Sequence, residues 1–180
     1  MEIYMIKHYP LPKKYHYHKN QSSGTFLECR KDRVHCGIDI YAPRKTPVYA
    51  VDDGIIQQVS QFTNPNQNPY WNVTYQILLH DTSTYYYRYA ELDKVLVSQN
   101  EAVSSGQQIG LVGQVLNPQY VKETHPEYIK KLIKENKLSM LHFEVYTCLP
   151  ESSKYYLGGN WFAKDKPKGI IDPTVLLDNL

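Results

Sequence analysis

His35-Cys36-Gly37-Ile38-Asp39 sets an imidazole and a carboxylate four residues apart, and both are common metal-binding groups. Written as a strand from Gly37 to Tyr41, the segment puts residues 35, 37 and 39 on one face and Ile38 and Ile40 on the other. Only Gly37, which has no side chain, separates the two polar groups, so both can reach one metal ion. The same spacing is frequent by chance, and alone it carries little weight. A second polar face lies in Leu141-His142-Phe143-Glu144-Val145. There Leu141, Phe143 and Val145 alternate with His142, Glu144 and Tyr146, the pattern of a strand with one core side. Standing alone, His142 reads as a solvated residue.

These segments need a scaffold, and the pattern around them is that of β-structure. Short apolar runs broken by turn residues predict strands at Gly37–Tyr41, Thr46–Val51, Gly54–Val59, Ala102–Val103, Gln108–Val112 and Leu141–Thr147. Val73–Leu79 and Thr84–Ala90 predict an antiparallel pair joined at His80-Asp81-Thr82-Ser83. Strands this close together, with short turns, argue for an antiparallel sheet. The exception is Thr124–Lys137, where Ile129, Leu132 and Ile133 stand at helical spacing, with Thr124 as cap and Glu127 completing a capping box. That helix is expected as an insertion between strands. The first thirty residues, rich in Lys, His, Tyr and Pro, read as an N-terminal arm with at most a short strand at Glu2–Lys7. The expected division is an arm over 1–30 and one β domain over 31–180.

The chain has 180 residues, 42% hydrophobic and 21% charged, long enough for a real core. A net charge of +2 without a basic stripe argues against a nucleic-acid partner. No apolar run reaches membrane-spanning length, and Met1–Lys14 lacks the apolar core of a secretory signal. Three cysteines without C-x-x-C spacing (Cys29, Cys36 and Cys148) read as free thiols, although one bridge remains open. The 17 tyrosines suit half-buried strands and also grooves that hold polar chains.

Taken in order, the motifs resemble those of the lysostaphin-type zinc endopeptidases (the LytM-like domain), which cut peptide bonds in peptidoglycan. The resemblance runs from His35 through Asp39, Ala42-Pro43, Thr46-Pro47-Val48-Tyr49-Ala50 and Asp53-Gly54 to Tyr89-Ala90-Glu91-Leu92. It continues through Val103, Gly106, Ile109-Gly110 and Gly113 to Leu141-His142-Phe143-Glu144-Val145 and Asp172-Pro173, spanning about four-fifths of the chain. It implies a mainly β fold with a groove across an antiparallel sheet, zinc as cofactor, and peptidoglycan peptides as the ligand outside the cytoplasm. It also implies His35, Asp39 and His142 as zinc ligands, with a fourth position for water.

Two positions depart from the family pattern. Met140 stands where the family has the first histidine of an H-x-H motif, and Glu91 stands where it has a histidine after Tyr-x. A thioether has no proton to give, whereas a carboxylate can act as general base or close the site as a fourth ligand. Three readings follow: a degenerate zinc-binding module, an active peptidase using Glu91 as base, and a β-domain with structural zinc and a tyrosine-rich surface. Tyr87 and Tyr89, placed on the Glu91 face by alternation, are expected with Met140 along the groove. His125 in the insertion and His16 and His18 in the arm are further imidazoles, more simply read as structural or solvated.

Overall fold

In the computed structural model, residues 6–17, 23–125 and 127–180 are described. His18 and most of the strand expected at Glu2–Lys7 lie outside them. Among the described residues the elements are β1 Val34–His35, β2 Ile38–Tyr41, β3 Pro47–Tyr49, β4 Gly54–Thr63, β5 Thr74–Asp81, β6 Tyr86–Val95, β7 Ala102–Val103 and β8 Gln108–Val112. Helix α1 Glu127–Lys134, β9 Met140–Tyr146, β10 Tyr156–Leu157, β11 Asn160–Trp161, β12 Ile170–Ile171 and helix α2 Thr174–Leu177 complete them. The fold is mainly β, as expected, with every strand pair antiparallel.

The large sheet runs β12-β9-β6-β5-β4-β7, with β2 also on β9 and β8 bridging β3 and β6. Its alternation is two-faced. Ile38 and Ile40 of β2, Ile77 and Leu79 of β5, and Leu141, Phe143 and Val145 of β9 enter one core, all essentially buried. Each such side chain contributes roughly 1.5–3 kcal/mol through burial. The opposite face carries Asp39, Arg88, His142, Glu144 and Tyr146, and a small sheet of order β1-β11-β10 belongs with it.

Three expectations change. The arm is not solvated in its described part: Ile6 and Leu11 are buried in the main core, and Val51 accepts from the amides of Lys7 and His8. Helix α1 opens at Glu127, not Thr124, because His125 precedes Pro126 and the helical region is disfavoured there. Strand β6 extends to Val95, past a residue in the left-handed region, Glu91 at φ 63°. The three cysteines are free, as read from their spacing. No helix among the described residues is long and apolar enough to cross a membrane.

Candidate metal centre

Strand register brings the polar groups together. Asp39 of β2 and Ala90 of β6 both lie opposite His142, so β9 runs between them with His142 at the centre. His35 arrives from β1, four residues before Asp39, on the face inferred from alternation. His35 Nε2, His142 Nδ1 and Asp39 Oδ1 form a triangle with edges of 3.0, 2.9 and 3.2 Å. All three side chains are buried.

The outer nitrogens determine what the inner ones offer. His35 Nδ1 lies 2.8 Å from the Thr25 carbonyl, which only accepts, so Nδ1 donates and Nε2 presents a lone pair. His142 Nε2 lies 2.8 Å from Glu144 Oε1. The Glu144 carboxylate is held down to about 2: its burial opposes ionisation, but the Arg88 charge and the His142 hydrogen bond outweigh that. An ionised carboxylate only accepts, so Nε2 donates and Nδ1 also turns a lone pair inward. Three acceptors thus converge within about 3 Å, an arrangement that repels itself without a cation between them.

A proton can be that cation. Burial alone would lower the His142 pKa, but hydrogen bonds to Asp39 and Glu144 raise it to about 10, so the ring carries an inner proton at neutral pH. Burial raises the Asp39 pKa, yet the adjacent His35 and His142 imidazoles hold it well below the ordinary carboxylate range. A metal fits the same place. Tetrahedral zinc with bonds of about 2.0–2.1 Å spaces its ligand atoms about 3.3 Å apart, a few tenths more than the triangle shows. Among the described residues this is the one His/Cys/Asp/Glu group that converges in this way.

Glu91 stands beside the cluster. Burial first, then the Asp39 charge, raises its pKa to about 8, against the opposing pull of His142 and Arg30. Its Oε2 is buried without a hydrogen-bond partner among the described residues, and such an orphaned oxygen suits a metal or a water. Met140 is half-buried on the His142 face of β9, opposite Tyr41.

Tyr87 and Tyr89 correct the expectation. Both are fully buried in the main core, where Tyr89 accepts from the Val51 amide and Tyr87 donates to Asp81. The bulge at Glu91 breaks the alternation that placed all three on one face. His125 packs edge-on against Tyr70 and accepts from the Lys122 amide, and the His16 ring lies tilted 6.1 Å from that of Tyr9; neither joins the converging group.

Other residues at the centre were not singled out from sequence. Arg30 Nη2 lies 3.7 Å from Asp39 Oδ2 and is held by Glu28 and Asn160. Tyr41 shares the Asp39 face, and burial plus the Asp39 charge push its hydroxyl up to about 12. Phe62 stacks on the His142 ring at 6.0 Å. Two glycines roof the cluster. A Cβ on Gly24 would lie 2.7 Å from Asp39 Cβ, and one on Gly159 would lie 2.7 Å from His142 Nε2. Both adopt positive φ, at 94° and 76°. Only hairpin spacing and positive-φ chemistry at Gly158-Gly159 gave a sequence signal for this roof.

With this geometry in hand, comparison with known proteins is informative. The model of peptidase family M23 matches residues 33–148. The peptidoglycan DD-endopeptidase ShyA of Vibrio cholerae is 38% identical over 79 residues, covering 44% of this chain and 16% of that protein. ShyB of the same organism is 34% identical over 111 residues, covering 58% of this chain and 23% of that one. The match therefore spans less than a quarter of these relatives' length. A zinc-containing peptidase from Vibrio cholerae superposes with TM-score 0.52 at 28% identity, over 79% of this chain and 36% of its own. The catalytic domain of lysostaphin from Staphylococcus simulans superposes with TM-score 0.51 at 21% identity, over 76% and 84%, a likeness of fold alone.

Proposed function

The chain belongs to peptidase family M23, and on that premise we propose a zinc-binding domain directed at peptidoglycan peptides, with His35, Asp39 and His142 as ligands and catalysis reduced or lost. The observation that carries the zinc reading is the inward convergence of His35 Nε2, His142 Nδ1 and Asp39 Oδ1, with each histidine oriented by an acceptor behind it. Bound there, zinc supplies a Lewis acid that polarises a carbonyl and acidifies a water.

The reading of reduced activity rests on what surrounds the ligands. Met140 has no proton to transfer. General acid–base catalysis contributes roughly 100- to 10,000-fold, so its loss at one position is severe. Burial adds to this, since all three ligand side chains are almost closed to solvent.

A second reading has its own observation. The orphaned Oε2 of Glu91 belongs to a carboxyl whose pKa sits near neutrality, the range that suits a general base. In that reading Glu91 takes the proton of the attacking water and Arg30 or Tyr41 steadies developing negative charge. The test is cleavage of purified peptidoglycan and of short peptides by zinc-loaded protein. No cleavage by protein shown to hold zinc supports the degenerate reading. Cleavage that Glu91→Gln abolishes overturns it in favour of the second. The arm residues 6–17 are proposed to fold with the β domain as one unit, because they complete its core.

A further inference from the structure

We propose that Glu144 is the positioning residue of this centre: it holds the His142 ring so that Nδ1, and not a ring carbon, faces Asp39 and His35. The inference rests on the zinc reading above and adds a residue outside the ligand set.

Glu144 follows His142 by two positions on the same face of β9, so its carboxylate stands beside the imidazole. It is fully buried. A buried carboxylate costs several kcal/mol in desolvation unless its charge and lone pairs are matched. Here three hydrogen bonds and one ion pair meet the carboxylate. Oε1 accepts from His142 Nε2 at 2.8 Å and from the Tyr156 hydroxyl at 2.7 Å. Oε2 accepts from the Tyr146 hydroxyl at 2.7 Å, and Arg88 Nη1 lies 3.1 Å away, an ion pair without the alignment of a hydrogen bond. Arg88 is itself flanked by the rings of Tyr146 and Tyr156, 5.5 and 4.5 Å from their centroids.

The grip therefore comes from three strands: β6 supplies Arg88, β9 supplies Glu144 and Tyr146, and β10 supplies Tyr156. Such a cradle is an expensive way to build a core, because apolar residues of similar volume are often as stable or more stable. Its effect on His142 is specific. Rotating the ring by half a turn would present Cε1 to Glu144 and Cδ2 to Asp39, forfeiting both hydrogen bonds. Fixing the outer nitrogen of a metal-binding histidine orients the ring and raises its basicity, and losing such a partner typically weakens metal affinity 10- to 100-fold.

The experiment replaces the cradle without leaving a charge unpaired. The double variant Glu144→Met/Arg88→Met is compared with wild type for melting temperature, zinc affinity by chelator competition, and the visible spectrum with cobalt(II) as probe. The expected result is a folded protein whose zinc affinity falls 10- to 100-fold and whose cobalt spectrum changes. Glu144→Gln, which keeps one oxygen acceptor, should fall between the two. A double variant with wild-type zinc affinity and cobalt spectrum would overturn the proposal. Failure of the wild-type protein to bind zinc or cobalt would sink the metal reading itself, a separate result.

Discussion

Acidifying the protein should weaken zinc binding ten- to a hundredfold per pH unit across a range where ordinary histidine sites no longer respond. The cause is the inner proton of His142, held by Asp39 and Glu144 with a pKa of about 10 in the metal-free protein. Zinc needs the lone pair that this proton occupies, so binding releases it. At pH 7 that displacement costs roughly 4 kcal/mol, at 1.36 kcal/mol per decade. A free histidine, with a pKa of about 6.5, would make the cost negligible above neutrality. Glu91 adds a second proton if it ionises beside the metal, because its pKa of about 8 keeps it protonated below that value. The logarithm of the apparent affinity should then rise with slope near two below about pH 8 and near one from there to about pH 10. Chelator competition at several pH values, with buffers that do not bind zinc, measures this directly. An affinity that stays constant between pH 7 and 9 would refute the reasoning, since the inner nitrogen would then already be free.

The metal-free protein should show the matching stability effect. His142 and Glu91 both have folded pKa values above their unfolded ones, so each contributes stability that is complete below the unfolded value and lost as pH rises through the folded one. Melting temperature with a chelator present should therefore fall steadily from about pH 4.5 to about pH 10, and zinc should reverse most of that fall. Met140→His should raise or create peptidase activity, read as fragment release from peptidoglycan. No change would mean that access, not the missing proton donor, limits the site. Gly159→Ala should cost about 1–3 kcal/mol in urea unfolding and weaken zinc binding, because its Cβ would press on the His142 ring from a backbone at φ 76°. A neutral Gly159→Ala would show that the hairpin lifts away easily.

Much of the centre is legible in the sequence. The shared face of His35 and Asp39 followed from strand alternation across Gly37, and the core side of β9 followed from Leu141, Phe143 and Val145. Alternation failed at one point with large consequences. A bulge at a non-glycine residue has no local signature, so Glu91 was set on the wrong face relative to Tyr87 and Tyr89. The cradle around Glu144 was illegible for a different reason. Arg88 and Tyr156 lie far from His142 along the chain, and only register between β6 and β9 and the fold-back of β10 bring them together. The packing of the arm was not legible either, because Ile6 and Leu11 are buried by a tertiary contact that composition does not encode.

The roof against the ligands is made of backbone, and this sets how fast the roof itself can lift. A side-chain lid opens by rotamer flips in picoseconds to nanoseconds, but lifting main chain requires breaking peptide hydrogen bonds and moving a segment, on nanosecond to microsecond scales or slower. The bonds concerned are the Asp39 amide to Gly24 and the Cys36 amide to Gly159. Each strap is thus tied by a main-chain hydrogen bond to the segment that carries a ligand, and lifting either strap breaks one of them. The exchange of those two backbone hydrogens becomes a clock for how often the straps beside the ligands lift.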